Sequence, residues 1–173
     1  MALLQMFAAH SDLDRLIADT AAGDSDAFAR LYHETSASVY AYALSILKNS
    51  HDAEDVLHDC YLRIHASAAA YQSEGKPMAW ILTIARNLCF KLLQQKKNIA
   101  ALPFDPGDDR WDADDRLVIE ACLNILSDEE RQIVVLHAVS GFKHKEIAAF
   151  MELPLATVLS KYHRALKKMK NHI

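Results

Sequence analysis

The sequence is poor in the residues that interrupt helices, with only four glycines and four prolines among 173 residues. Alanine, leucine, isoleucine, lysine and glutamate are plentiful, and 51% of the residues are hydrophobic. This composition favours helices over strands and supplies enough apolar side chains for a buried core. We therefore expect an all-α fold with one domain or two small ones.

Cysteine is scarce as well, and the three present are Cys60, Cys89 and Cys122. They are odd in number, far apart, and never form a CxxC pair. Neither a disulfide framework nor a zinc cluster is therefore indicated. Because each lies among apolar residues, we interpret them as core residues rather than redox sensors. A reducing cytoplasm is the simplest setting for such a chain.

Long apolar runs are missing too. No stretch approaches the roughly 20 apolar residues that a membrane span needs, so we expect no membrane insertion. Residues 1–10 are apolar but carry no Lys or Arg ahead of the apolar run, which makes a poor signal peptide. A short N-terminal helix that packs on the body, or frays, is the expectation.

Patterns typical of catalysis or metal binding do not occur. His51, His58 and His65 share a helix face, but seven residues span about 10.5 Å of helix, too far for two imidazoles to chelate one ion. The six aspartates between residues 105 and 115 lack the spacing of a calcium loop. No Ser-His-Asp order, glycine-rich phosphate loop or catalytic carboxylate pair stands out. We predict no cofactor, no metal and no enzymatic activity.

Helical periodicity divides the chain into two groups of helices. The first group is predicted at residues 11–20 (Ser11 as N-cap), 26–48 (with a possible kink at 34–38), 51–70 and 78–96, with a break at 21–24 and a turn and cap at 49–52. The second is predicted at residues 116–126, 128–140, 143–151 and 156–172, and Ser127 and Glu130 have the spacing of a capping box at the start of its second helix. Between them, residues 101–115 contain Pro103, Pro106, Gly107 and the aspartates, which is typical of a flexible linker. We predict domains at 1–98 and 114–173, joined by a linker at 99–113.

Positive charge is concentrated at the end of an acidic chain. The whole sequence carries −4, yet residues 142–173 hold seven Lys or Arg against two Glu. A short amphipathic helix, a tight turn at Leu153-Pro154 and a longer basic helix follow one another there, the pattern of a helix-turn-helix. The base-contact candidates are Thr157, Ser160, Lys161 and Arg164, and the phosphate candidates are Lys167, Lys168 and Lys170. The alternative is a solvated basic face on a surface helix.

Region 4 of extracytoplasmic-function sigma factors resembles this part of the chain. The matching segments are Leu126-Ser-Asp-Glu-Glu-Arg131, Glu146-Ile147-Ala148 and Thr157-Val158-Leu159-Ser160-Lys161-Tyr162-His163-Arg164-Ala165. Met151-Glu152 and Ala156 stand where the family often has glycine, so the turn must form without one. Leu159 replaces a common basic residue and removes one possible phosphate contact.

The first domain resembles region 2 of the same family. Ala53-Glu54-Asp55 through Arg63 matches the helix that docks on the β′ clamp helices of RNA polymerase, which implies core-binding roles for Glu54, Asp55, His58 and Asp59. Trp80-Ile81-Leu82-Thr83-Ile84-Ala85-Arg86-Asn87 matches the helix that, with the loop near residues 69–76, handles the −10 element. The implied −10 residues are Ser73, Lys76, Arg86, Asn87 and Lys91. We favour core packing for Trp80 and Ile84, and a structural ion pair is an equal alternative for Arg86.

Taken together, the resemblance implies a sigma factor of two small helical domains. Its partners would be core RNA polymerase, through the β′ clamp helices and the β subunit, promoter DNA and an anti-sigma factor. Because the chain is acidic and fewer basic residues follow Asn87 than the family often has, we expect the free protein to bind DNA poorly. The alternatives are a self-sufficient helix-turn-helix repressor or activator, and an enzyme with a DNA-binding tail.

Overall fold

The computed structural model describes residues 2–96 and 124–171, with side chains from residue 12 onward. Within these ranges it contains α-helices, one 3-10 turn and no strand, which confirms the all-α fold. The helices are α1 (Ala2–Ala21), α2 (Ser25–Leu47), α3 (Ser50–Ser67), α4 (Pro77–Lys96), α5 (Asp128–Ala138), α6 (His144–Met151) and α7 (Leu155–Lys170), and the 3-10 turn is Ala68–Ala70. No described helix is both long and apolar enough to span a membrane.

Helices α1 to α4 pack around a shared apolar core. Ile17, Leu31, Ile64 and Ile81, one from each helix, are fully buried there. The core also holds a polar chain: Thr35 donates to the carbonyl of Leu31 at 2.6 Å, and its hydroxyl lies 2.5 Å from that of Tyr61. The buried hydroxyls therefore satisfy one another, which keeps the energetic cost of their burial low.

Local capping sets the boundaries of these helices. Asp24 accepts hydrogen bonds from the backbone N–H groups of Asp26 and Ala27, and Asn49 accepts from Asp52. The predicted break before α2 and the predicted turn before α3 are thus confirmed. The predicted N-cap at Ser11 is wrong, because α1 already begins at Ala2. The alanine- and leucine-rich start has high helix propensity and carries the helix straight through that serine.

Two further boundaries differ from the predictions. Helix α2 is continuous across residues 34–38, where a kink seemed possible. Helix α3 ends at Ser67 and tightens into the 3-10 turn, a common ending for a helix. The predicted linker at 99–113 and most of the predicted helix at 116–126 lie outside the described residues.

Helices α5, α6 and α7 form a small helix-turn-helix unit around Ile133, Leu136, Ile147 and Val158, all fully buried. The predicted capping box opens α5: Glu130 N–H donates to the Ser127 hydroxyl, and the Ser127 N–H donates to the Glu130 carboxylate. This reciprocal pair satisfies two backbone N–H donors at the helix start.

The two groups of helices are packed against each other. The Arg131 guanidinium, only 3% exposed, crosses from α5 and donates to the carbonyl of Ser45 on α2 at 2.9 Å. Phe150 of α6 packs edge-on against Tyr42 of α2, with ring centroids 5.8 Å apart. Lys48 and Asp128 form an ion pair at 2.7 Å across the same boundary.

Candidate functional site

Helix α3 presents an acidic face to solvent. Asp55, His58 and Asp59 are exposed, as the helix spacing requires for residues three to four positions apart. Glu54 is half-buried, and its Oε1 is buried. Of the four predicted core-binding residues, three therefore share one open face and one stands at its edge.

A groove of about 730 Å³ runs between α3 and α4 beside this face. Asp55, His58 and Asp59 form part of one wall, and Lys91 lies across from them on α4. The groove is lined by Asp55, Val56, His58, Asp59, Leu62, Arg63, Ala66, Leu88, Lys91, Leu92 and Gln95. Lys91, predicted among the −10 residues, thus lines the groove together with the predicted core-binding residues.

Leu62 is the most exposed large apolar residue described, at 61%. Leu62 was not among the predicted binding residues. The sequence spacing could nevertheless have identified it. Leu62 follows Asp55 by seven residues and Asp59 by three, which places all three on one helix face. The exposed face of α3 is therefore acidic along one part and apolar along another.

A second, smaller pocket of about 410 Å³ lies where the loop after the 3-10 turn meets α4. Its walls include the rings of Tyr71 and Trp80, whose centroids are 4.7 Å apart and tilted by 47°. The Tyr71 hydroxyl donates to Asp14 at 2.5 Å, which fixes that ring. Burial, together with this hydrogen bond, raises the pKa of Tyr71, so the phenol stays neutral.

The predicted −10 residues divide around this pocket. Lys76 is exposed and lines it, whereas Ser73 is exposed on the same loop outside the lining. Trp80 packs on the core and also lines the pocket, so core packing describes only part of its surroundings, while Ile84 packs on the core as expected. Tyr71 had no predicted role, although an aromatic residue within the predicted loop at 69–76 was a usable signal.

Arg86 and Asn87 have different surroundings. Asn87 is exposed on α4. Arg86 donates from Nη1 to the backbone carbonyl of Phe150 at 2.8 Å, and its guanidinium carbon lies 5.2 Å from the centre of the Phe150 ring. Arg86 thus has a structural partner in the helix-turn-helix unit, but that partner is a carbonyl and a ring rather than the carboxylate of an ion pair.

Helix α7 gathers its predicted DNA residues on its outward side. Thr157, Ser160, Lys161, Arg164, Lys167 and Lys168 follow one another at spacings that keep them on one face. Ser160, Arg164 and Lys167 are exposed, and Thr157 is half-buried. Val158 and Ala165, on another side of the same helix, are buried.

Two of the basic residues on α7 are already engaged with the start of α5. Lys161 pairs with Glu129 at 2.6 Å, and Lys168 pairs with Glu130 at 2.7 Å. Burial of Glu130 opposes its ionisation, but the bonds from Lys168 and Ser127 outweigh burial and hold the pKa of that carboxyl below its usual value. These contacts orient α7 on α5 and partly neutralise its basic face.

Cys60 and Cys89 are free thiols buried in the first group of helices. Burial raises the pKa of each to about 12, so neither forms a reactive thiolate near neutral pH. These two residues are core residues, as predicted, while Cys122 lies outside the described range. Among the described side chains, no group of three or more His, Cys, Asp or Glu is placed to hold a metal ion.

The fold and these surfaces define a two-part helical DNA-binding protein with a helix-turn-helix at its C-terminal end. Family models identify both parts: residues 31–99 match sigma-70 region 2, and residues 116–169 match sigma-70 region 4. The chain belongs to the extracytoplasmic-function sigma factors and directs promoter-specific initiation of transcription by RNA polymerase.

Relatives of known family agree with this assignment. The chain is 29% identical to the ECF RNA polymerase sigma factor SigK of Mycobacterium sp. (strain KMS), over 93% of this chain and 90% of that protein. It is 28% identical to SigK of Mycobacterium tuberculosis (strain ATCC 25618 / H37Rv), over 93% of each.

Two solved structures share the fold at 21% identity. The structure of CnrH in complex with the cytosolic domain of CnrY has a TM-score of 0.68, and the match covers 92% of this chain and 96% of that chain. The sigma factor RpoE of Bartonella quintana, in complex with the anti-sigma factor NepR, has a TM-score of 0.70 and covers 83% and 94%.

Proposed function

We propose that this sigma factor uses three separate surfaces in initiation. The groove between α3 and α4 holds core polymerase, the pocket beside Trp80 captures a base of the −10 element, and the outward face of α7 reads the −35 element. The protein acts in the cytoplasm and catalyses no bond change itself. Its contribution is to position the polymerase and to stabilise the opened strand.

The groove fits an amphipathic helix with basic side chains, such as a β′ clamp helix. Asp55 and Asp59 offer carboxylates to such a partner, and Leu62 offers an exposed apolar contact. Opposite charges across an interface steer association and set its register, while the apolar contact supplies burial. His58 lies between the two carboxylates and would pack against the same partner helix.

The aromatic pocket is the observation that carries the proposal. Tyr71 and Trp80 provide ring surfaces on which a base can stack, and exposed Lys76 lies beside them for a phosphate. Taking a base out of the duplex costs a few kcal/mol, which such a pocket can offset. A repressor that reads intact duplex has no need of such a pocket. The presence of the pocket therefore favours a role in strand opening.

The face of α7 suits the major groove. Ser160 is exposed in the second turn of the helix and Arg164 in the third, within reach of base edges, and Lys167 lies further along for phosphate. An anti-sigma partner is also part of the proposal. It is supported by the fold shared with RpoE, whose structure was solved with an anti-sigma factor.

Transcription by reconstituted polymerase tests the pocket. Lys76→Glu should reduce open complexes on a duplex promoter, and the defect should shrink on a template whose −10 region is already unpaired, because unstacking is then no longer required. Arg15→Glu is the matched control, since Arg15 is an exposed cation on α1 that does not line the pocket. An equal effect of Lys76→Glu and Arg15→Glu on the duplex promoter would contradict the proposal.

A further inference from the structure

Two histidines meet at the centre of the helix-turn-helix unit. His137 comes from the last turn of α5 and His144 begins α6. Their rings are stacked, with centroids 4.5 Å apart and an interplanar angle of 28°. Tyr162 of α7 packs edge-on against both rings, at 5.0 and 4.7 Å. These three residues, termed the histidine stack, join all three helices of the unit.

The surroundings of His144 suit a neutral imidazole ring. His137 Nδ1 lies 2.8 Å from the backbone carbonyl of Phe142, and because a carbonyl only accepts, Nδ1 must carry the proton. His144 Nε2 is buried without a hydrogen-bond partner. Protonation would make both ring nitrogens of His144 donors, and Nε2 has no acceptor to receive its proton, which is costly.

The charges around the stack also oppose protonation. The titratable groups placed against His144 are His137 from α5 and Tyr162 and His163 from α7, while Lys143, Lys145 and Glu146 are its neighbours along the chain at the start of α6. The Glu146 carboxylate is bonded to the Lys143 backbone N–H at 2.7 Å. His144 also stands at the N-terminus of α6, where the helix dipole disfavours a cation. Burial, then His137 and His163, hold the pKa of His144 below its usual value.

We propose that the histidine stack makes promoter recognition acid-sensitive, because a positive charge on His144 would disfavour its packing against His137 of α5 and Tyr162 of α7, loosen α6 from both helices and misplace the recognition helix. The inference rests on the proposed −35 role of α7. It adds pH regulation of α7 that does not involve the DNA-facing residues of that helix.

The direction of the pH dependence follows from linkage. The unfolded chain takes up a proton at His144 near pH 6.5, whereas the folded chain resists it, so the unfolded state binds more protons as the pH falls. The stability that neutral His144 contributes is fully present above about pH 6.5. It falls as the pH drops towards the folded-state pKa of His144. Each pH unit in that window lowers the folding equilibrium constant by up to about tenfold.

Urea unfolding of the full chain between pH 5.5 and 7.5 tests the first half of the proposal. The wild type should lose stability on acidification more steeply than His144→Phe, which keeps an aromatic ring without a titrating group. His33→Gln, at an exposed histidine on α2, is the control and should keep the wild-type slope. Equal slopes for the wild type and His144→Phe would overturn the proposal.

Two further measurements keep the test decisive if His144→Phe folds poorly. Histidine ring resonances of the wild type give the pKa of His144 directly, and a value at or above 6.5 would overturn the proposal. His144→Gln supplies a second non-titrating variant for the unfolding series.

Transcription tests the link to DNA. The ratio of wild-type to His144→Phe initiation at a −35-dependent promoter should fall between pH 7.5 and 6.0, and the polymerase's own pH dependence cancels in that ratio. A constant ratio overturns the link between the stack and recognition. A different outcome separates the two proposals. If wild-type initiation does not depend on the −35 element at any pH, while the unfolding slopes of the wild type and His144→Phe still differ, the proposed role of α7 is overturned and the pH-sensitive stack is not.

Discussion

Arg86 of α4 donates a hydrogen bond to the backbone carbonyl of Phe150 in α6 at 2.8 Å, although 64 residues separate them in the sequence. The same arginine is a candidate for contact with the −10 element, and α6 belongs to the unit that carries the −35 candidates. The −10 and −35 elements lie about 25 base pairs apart, on the order of 85 Å of duplex. One molecule cannot keep this contact and engage both elements.

The two helical groups are therefore expected to separate on the promoter. Spin labels at Phe90→Cys and Ala149→Cys, both exposed positions near the contact, should report a short distance in the free chain with Cys122→Ser as background. With core polymerase and promoter DNA added, that distance should grow by tens of ångströms. A distance that does not change on assembly would show that the contact persists during initiation.

Core binding should depend on the exposed acidic residues of α3 more than on Glu54. Replacing both Asp55 and Asp59 by Lys reverses the charge of the groove wall, so capture of the polymerase core should be abolished. Glu54→Gln changes a half-buried position and should weaken capture less. The measurement is a pull-down of core by tagged sigma factor; capture that survives the double reversal would show that the core binds elsewhere.

Arg131 should be the most costly arginine to remove. It is almost fully buried and donates to the carbonyls of Ser45 and Leu126 and to the Asp128 carboxylate. Arg131→Met leaves buried acceptors without their donor and should lower the free energy of unfolding by about 2–4 kcal/mol. Arg131→Lys should rescue little of this, because one ammonium cannot reproduce the forked geometry.

Urea unfolding measures the difference, and Arg30→Met is the control. Arg30 is exposed and pairs only with Glu34 one turn away, at 3.6 Å, so its removal should cost well under about 1 kcal/mol. If both variants lose the same stability, the contacts of Arg131 contribute no more than a surface pair.

Features set by neighbouring residues were predictable from the sequence. The capping box of Ser127 and Glu130 and the cap at Asn49 depend on spacings of three residues, and both formed as predicted. The partners of Arg86 and Lys168 were not predictable, since each bond joins helices that are distant in sequence. A periodic pattern identifies which face of a helix is polar, but packing between helices decides what that face meets.

The −35 face of α7 should contain residues of unequal weight. Arg164 is exposed, so Arg164→Ala should cost about 1–3 kcal/mol of recognition, equivalent to roughly 5- to 150-fold in −35-dependent transcription. Lys168→Ala should affect transcription less, because Lys168 is already paired with Glu130, and should lower stability instead. In vitro transcription and unfolding separate the two effects; core binding should be unchanged, and a larger transcription defect for Lys168→Ala would reverse the assignment.

The turn between α6 and α7 should be strained, because Glu152 adopts the left-handed conformation at φ 56° and ψ 39°. A side chain costs roughly 1–2 kcal/mol there, and glycine escapes that cost while adding some unfolded-state entropy. Glu152→Gly should therefore raise the free energy of unfolding by about 0.5–1 kcal/mol, measured in urea. Glu152→Ala removes the same charge but keeps the Cβ, so it should give no comparable gain. An equal gain for both variants would assign the effect to the lost carboxylate rather than to the backbone.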